Sequence, residues 1–332
     1  MSDIKKITIL PASYIAVLIV NYNSGKLLKR SLDHLMAQTW TNKRIIVVDN
    51  ASSDGSLADL DKLFPTIQFI KSETNLGFAA GNNLALNHSE GCDWIVLLNP
   101  DAFPEPDWLE NLALASQKHK NYDFFGCLMR TADNPSLLDG TGDVLHVCGL
   151  SWRRDHGVKI ENGTHFEGEI FAPCAAAAMY RRSALLEIGG FDESFFCYHE
   201  DVDLAFRLRL LGYKCWYVPS AVVDHIGSGI TGRYSEFSTY HGHRNLVWTF
   251  LKNMPGPLLV IYLPLHLIMS LVSILVGALR GQAMVIVRAK IDALRSLSDI
   301  LEKRRIIQNS RTVGSLAILS VLSRGIWPLI KR

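Results

Sequence analysis

The first hundred residues alternate between unbroken aliphatic runs and polar segments. Residues 14–20 (YIAVLIV), 44–48 (RIIVV), 67–71 (IQFIK) and 94–98 (WIVLL) are short and rich in β-branched side chains. That is the pattern of strands buried on both faces. Between them, residues 26–39 carry Leu28, Leu32 and Leu35 at helical spacing, and 57–64 suit a short helix. A Gly- and Asn-rich turn at 75–83 leads into a further helix around 84–88. Strands alternating with helices in this way predict βαβ units in an open, mostly parallel α/β sheet. Such sheets bind ligands beyond the carboxyl ends of their strands. Polar clusters fall at three of those ends in succession: Asn21-Tyr22-Asn23, Asp49 to Asp54, and Asn99-Pro100-Asp101. One cluster is ordinary loop chemistry; three in register predict a site.

Residues 130–170 are rich in Gly, Asp, Asn and His, which predicts an irregular or hairpin insertion near the site rather than a separate domain. Regular structure is expected again over 171–181, in a helix over 200–211 and in a strand over 214–218. Residues 258–278 then run for 21 positions without a charge, interrupted by Pro264 and His266. This run is long enough to span a bilayer, and it suits an interfacial or re-entrant helix equally well.

Charge sharpens that division. The net +2 is the sum of an acidic body, with 22 Lys/Arg against 29 Asp/Glu up to residue 249, and a basic tail with 12 against 3. The tail's cations (Arg280, Arg288, Lys290, Arg295 and Lys303-Arg304-Arg305) are interleaved with aliphatic runs, and Leu294, Leu297 and Leu301 form an apolar stripe. An anionic cytoplasmic membrane leaflet suits this better than nucleic acid, which would favour stacking aromatics. The chain therefore divides into a body at 1–250 and a helical, membrane-associating tail at 251–332. Six scattered cysteines form no C-x-x-C pair, which disfavours a structural zinc cluster and suits a reducing compartment. Residues 1–10 lack the pattern of a signal peptide, so the body is expected on the cytoplasmic side, peripheral or monotopic.

Three groups of residues carry candidate chemistry. Asp49, after a strand, can accept from a nucleobase N–H or a ribose hydroxyl, although an Asx-turn capping the next helix explains the Asp49–Asp54 stretch as well. Asp101 offers the hard oxygen that Mg2+ or Mn2+ prefers, with Asn99 a weaker contact. Downstream, His225 follows a second apolar stretch and would complete such a coordination. Glu200-Asp201-x-Asp203 places three carboxylates at a helix start, where they complement the helix dipole. The aromatic stretch before them would desolvate one and raise its pKa towards that of a useful base. Asp201 is the first choice and Glu200 the next.

In their order these segments resemble the inverting, GT-A-type glycosyltransferases of family 2, especially the bacterial rhamnosyltransferase-like branch. The resemblance covers roughly residues 14–250. It rests on VNYN at 20–23, VDNASSDGS at 48–56, NLGFAAGNN at 75–83, LNPD at 98–101, GGFDESFF at 189–196 and EDVDL at 200–204. It implies a GT-A sheet flanked by helices and an inverting, metal-dependent transfer from a dTDP- or UDP-sugar to a lipid-linked glycan acceptor of cell-surface polysaccharide. Asp49 would contact the base, Asn99-Pro100-Asp101 would replace the D-x-D motif, His225 would be a metal ligand and Asp201 the base. Asn21, Tyr22, Asn23, Asn75, Gly77, Asn82 and Asn99 would complete the donor site. Where relatives carry a second Asp, Asn99 removes one carboxylate. The Gln-x-x-Arg-Trp motif of processive synthases is absent, since residues 243–248 read HRNLVW, so addition of one or a few sugars is expected. Two rivals are a non-catalytic nucleotide-sugar-binding scaffold and a sugar nucleotidyltransferase. The second needs a glycine-rich basic loop early in the chain, where only Gly25 and Lys26 stand. A dinucleotide enzyme is disfavoured by the missing G-x-G-x-x-G.

Overall fold

In β1 (Ile15–Asn21) successive side chains feed two different cores, which is why the run is apolar without alternation. Ala16 and Leu18 join one apolar cluster, while Ile15, Val17 and Ile19 join the other on the opposite face of the sheet. A computed structural model describes residues 13–227 and 235–325. The expectation concerning residues 1–10 lies outside the described residues.

The other strands are β2 (Lys43–Asp49), β3 (Gln68–Lys71), β4 (Trp94–Leu98), β5 (Ala102–Pro104), β6 (Phe124–Thr131) and β7 (Asn134–Gly140). They continue with β8 (Asp143–Leu145), β9 (Ser151–Arg153), β10 (Gly168–Ile170), β11 (Ala177–Arg181) and β12 (Cys215–His225). The sheet runs β10-β12-β6-β11-β4-β1-β2-β3, with β5 paired to β12 and β7 to β6. Pairings β4-β1-β2-β3 are parallel, and β11 enters antiparallel to both β4 and β6. The fold class is thus the expected mixed, mostly parallel sheet of the GT-A type. The chain leaves β1 to pair on one side with β2 and on the other with β4, and a crevice opens where the order reverses.

Helices α1 (Leu27–Met36), α2 (Leu60–Leu63) and α4 (Trp108–Lys118) cover one face. On the other lie α3 (Gly77–Leu86), α5 (Arg182–Glu187) and α6 (Glu200–Leu210). The 130–170 insertion is strand β7 and the β8–β9 hairpin, laid against the sheet. The last strand is longer than its apolar run foretold. Pro219 cannot donate to the ladder, so the register shifts between Val218 and Val222, and the strand then continues to His225.

The expected boundary at 250 falls inside α7 (Glu236–Asn253), and α8 (Gly256–Leu279), α9 (Ala283–Arg295), α10 (Leu297–Ser310) and α11 (Ser315–Val321) follow. α8 carries Pro264 in its interior without being split. Its buried His266 stacks on Phe250 at 4.1 Å between ring centroids and its Nδ1 meets the Cys148 carbonyl at 2.8 Å. Lys252, wholly buried, bridges Asp192 at 2.5 Å and Asp203 at 2.8 Å. Lys303 of α10 also bridges Asp192 at 2.5 Å, so lysines of α7 and α10 bolt the helical layer to Asp192 and to Asp203 of α6.

Candidate active site

A cavity of about 1130 Å³ opens at the carboxyl ends of β1 and β4, lined among others by Tyr22, Asn99, Asp101, Asp139, Glu200, Asp201 and His225. Its first wall comes from strand register. β5 runs antiparallel to β12 so that Ala102 faces His225, which sets the preceding Asp101 beside the imidazole. Asp101 and His225 are both buried, with His225 Nε2 3.3 Å from the Asp101 carboxylate. On the far side of the ring Nδ1 lies 2.8 Å from Asp139. The Asp139 carboxylate also accepts from Arg153 at 2.5 Å and can only accept from the imidazole, so Nδ1 carries a hydrogen, and in the neutral ring the Nε2 lone pair is on the Asp101 side.

That Nε2 has no hydrogen-bond partner among the described residues. An oxygen and a nitrogen set side by side by the β5–β12 pairing, both buried, fit a divalent cation when the imidazole is neutral. The same proximity affects the proton. Burial works against the imidazolium, but Asp101 and Asp139 outweigh it and hold His225 above its ordinary pKa.

The second wall is the start of α6. Phe196, Tyr198 and His199 have φ of 64°, 70° and 64°, three non-glycine residues in the left-handed region just before Glu200. Each such conformation costs about 1–3 kcal/mol and persists only when neighbours impose it. Here Asn245 of α7 donates its Nδ2 to the carbonyls of Phe195 at 2.9 Å, Cys197 at 2.9 Å and Tyr198 at 2.7 Å. Arg244 adds contacts to the Ser194 and Phe195 carbonyls. From the other side the first turn of α3 donates from Phe78 and Ala79 to the Phe196 carbonyl. Gly77 has φ +80° and a Cβ there would strike Phe196 at 2.5 Å, so the glycine is required where the two loops touch.

The turn delivers two carboxyls with different surroundings. Asp201 accepts from the Val202 amide at 2.8 Å and the Ala175 amide at 3.3 Å. Burial raises its pKa, while these amides and Arg153 pull it back. Glu200 is 6% exposed and its Oε2 has no partner among the described residues. Burial and the neighbouring Asp201 push it well above the carboxylate range. Of the two, Asp201 has the hydrogen-bond donors that favour an ionised carboxylate, and Glu200 has burial and a neighbouring acid set against ionisation.

Between the walls Asp143, Cys174 and Asp201 bring donor atoms within 4.8 Å of one another. Arg153 occupies their neighbourhood, 2.7 Å from the Cys174 sulfur and 4.0 Å from Asp143, so this cluster already has its own cation. Gly140 makes room for that side chain, since a Cβ would lie 2.2 Å from Arg153 Cγ.

Of the residues expected at the donor site, Tyr22, Asn75, Gly77, Asn99, Asp101, Glu200, Asp201 and His225 line the cavity. Asn21, Asn23, Asp49 and Asn82 are not among the lining residues. Asn21 is fully buried and donates to Asp49, Ser52 and Ser56. Asn23 receives the Ser53 amide, and Asn82 donates to the Phe78 carbonyl. Asn21 and Asn23 tie the β1 and β2 end loops together, whereas the Asn82 bond stays within α3. Asp49 is 7% exposed and receives Asn21 at 2.9 Å. Asp139, Arg153, Asp143 and Asn245 escaped the sequence reading. Among them only Asp139 and Asp143 carry a signal, as acids within the Gly-rich LLDGTGD stretch.

A nucleotide-sized crevice at the switch point, closed by an antiparallel strand and an acidic helix start, defines a GT-A-type glycosyltransferase. The chain belongs to glycosyl transferase family 2, whose sequence profile matches residues 16–189. It is similar to the N-acetylglucosaminyl-diphospho-decaprenol L-rhamnosyltransferase of Mycobacterium tuberculosis, 29% identical over 262 residues, 71% of this chain and 83% of that protein. Rhamnosyltransferase WbbL of Escherichia coli K12 is 27% identical over 220 residues, 63% of this chain and 82% of that one. In structure the chain is similar to GalNAc-T7 solved with UDP, GalNAc and Mn2+, with a TM-score of 0.61 at 15% identity. That match covers 74% of this chain and 49% of the other and shows the shared fold.

Proposed function

We propose that this glycosyltransferase adds a single sugar, rhamnose, from a dTDP- or UDP-linked donor to a lipid-linked glycan, with inversion, at the cytoplasmic face of the membrane. The observation that carries the reading is one cavity with Asp101 and His225 on one wall and Asp201 on the other. Asp101 and His225 would hold Mg2+ or Mn2+, which when bound supplies positive charge to a leaving diphosphate. Asp201 accepts the proton of the acceptor hydroxyl at a carboxylate oxygen. Glu200 stays protonated beside it, which keeps a second negative charge away from the base. Asn245 and Arg244 hold the strained turn that aims both carboxyls into the cavity. Rhamnose comes from the names of both bacterial relatives, and the lipid-linked acceptor from that of the mycobacterial one. The membrane surface comes from α8, an apolar helix of 24 residues containing an 18-residue stretch of mean hydropathy 2.4 that is only 6% buried.

The test is transfer by the full-length protein from dTDP-rhamnose to a polyprenyl-diphospho-sugar, with Mn2+ or with chelator, and NMR of the new anomeric centre. Asp201→Asn is expected to lower kcat by about 100- to 10,000-fold while donor binding persists. Unchanged transfer by that variant removes Asp201 as the base. No transfer by the wild type from any nucleotide-sugar supports a binding scaffold instead.

A further inference from the structure

Outside the cavity, the described residues contain a second recess of about 440 Å³, where the start of α8 meets α10. Arg304, Arg305 and Arg311 line it, together with Gln308, Leu301 and Pro257. No carboxylate belongs to its wall, and none pairs with these three arginines among the described residues. Of the nearby acids, Asp292 binds Tyr240 and Arg295, Asp299 receives Ser298, and Glu302 is exposed on α10.

Each arginine has a different degree of freedom. Arg304 is fixed, donating to the carbonyls of Leu251 at 2.7 Å and Met254 at 2.6 Å at the end of α7. Gln308 is likewise tied to the Asn253 carbonyl at 2.9 Å. Among the described residues Arg311 holds only Ser315 at 3.4 Å, and Arg305 is exposed. Burial and the nearby charge of Arg311 both push the Arg304 guanidinium down, as happens when like charges gather without an anion. Pro257 has no N–H to offer, so the guanidinium groups and not the helix end make the site.

What surrounds the recess is apolar. Leu258 and His266 fasten the first half of α8 to the body, and Gly277 in its last turn packs against Ile286 of α9. The opposite side stands free, with Ile261 63%, Leu271 63%, Leu275 69% and Leu279 88% exposed. A helix fastened on one side with an apolar side left free suits a bilayer surface. Leu301 and Ile306 of α10 extend the free apolar surface past the arginines.

We propose that this recess binds the phosphate of a membrane lipid, whose chains lie along the free face of α8. The inference deepens the membrane part of the proposed function and rests on it, and the transfer chemistry is independent of it. Guanidinium groups pair with phosphate oxygens in bidentate fashion, and an adjoining apolar face separates a lipid-borne phosphate from a soluble one.

The test is flotation of the full chain with phosphatidylcholine vesicles, plain or containing either phosphatidylglycerol or a polyprenyl phosphate. Wild type should bind vesicles of the last two kinds and leave the plain ones. At about fivefold per basic residue, Arg305→Gln with Arg311→Gln should weaken binding about 30-fold with an unchanged melting temperature. Arg288→Gln with Arg295→Gln removes two charges from α9 and should cost less than about threefold, since both already serve Asp292. Equal losses in the two double variants would mean diffuse attraction and overturn the site. So would a wild type that binds none of the vesicles yet is stabilised by inorganic phosphate more than by sodium chloride of equal ionic strength, which would assign the recess to a soluble anion. Phosphatidylglycerol against polyprenyl phosphate tells a bulk headgroup from the acceptor's own phosphate. Transfer to a water-soluble acceptor is measured alongside; it survives if only the recess is wrong and vanishes if the glycosyltransferase reading is.

Discussion

Replacing Lys252 by methionine would leave two carboxylates without the cation that joins them. The ammonium sits 2.5 Å from Asp192 and 2.8 Å from Asp203, at 0% exposure, with the Phe195 ring 4.6 Å away. Methionine keeps the length of the stem and the contact with Phe195, so the change is mainly one of charge. Breaking a buried pair costs about 3–5 kcal/mol because the remaining ion stays desolvated. Here each carboxylate keeps other partners. Asp203 retains Arg207 at 2.8 Å and Asn253 at 2.6 Å, and Asp192 retains Lys303 at 2.5 Å. The lower end of the range applies, about 3 kcal/mol. Trp248, in edge contact with Phe195, reports on this junction by fluorescence during urea unfolding. The midpoint should fall with the slope unchanged, and adding Asp192→Asn should recover part of the loss. A loss under about 1 kcal/mol, the scale of an exposed pair, would refute the view that this bridge fastens α7 to the sheet domain.

Other expectations concern the cavity. Asp139→Asn should weaken Mn2+ binding, read by electron paramagnetic resonance, by about 10- to 100-fold, as for other carboxylates that orient a metal-binding histidine. Gly140→Ala puts a methyl 2.2 Å from Arg153 Cγ, whose guanidinium is pinned by Asp139 and Cys174. It should lower thermal stability by about 1–3 kcal/mol, and a neutral result would mean that Arg153 has room to move. Burial and the neighbouring Asp201 raise Asp143 to about 7, so the folded chain holds a proton that the unfolded chain has released. Stability from this group is present below its unfolded pKa and is lost as pH rises to about 7, at up to ~1.4 kcal/mol per unit. Asp143→Asn should therefore gain on the wild type between pH 4.5 and 7 and track it above; parallel curves throughout would show that Asp143 is solvated.

Much of the fold was legible because burial on both faces writes itself as uninterrupted aliphatic sequence, as in VLIV before Asn21 and WIVLL before Asn99. The polar ends of those runs located the cavity. They did not distinguish residues that face a ligand from those that face one another: Tyr22 and Asn21 are neighbours, and only Tyr22 lines the wall. Asp139 and Arg153 could not be found from local pattern, since the register of β7 on β6 and the β8–β9 hairpin bring them to His225 from a stretch without periodicity. Pro219 reads as a strand end, yet one shifted register absorbs it and carries the chain on to His225. Asn245 was read as part of a missing motif, whereas its amide meets three carbonyls some fifty residues upstream.

Those three hydrogen bonds bear on where the enzyme may be cut. The segment matching the family profile stops at residue 189, before the acidic pair and well before the asparagine that holds it in place. A fragment ending between residues 204 and 244 would contain every carboxyl of the cavity and still let Phe196, Tyr198 and His199 relax out of the left-handed region. The smallest autonomous transferase therefore includes all of α7, and with it the lysine that ties α7 to Asp192 and Asp203.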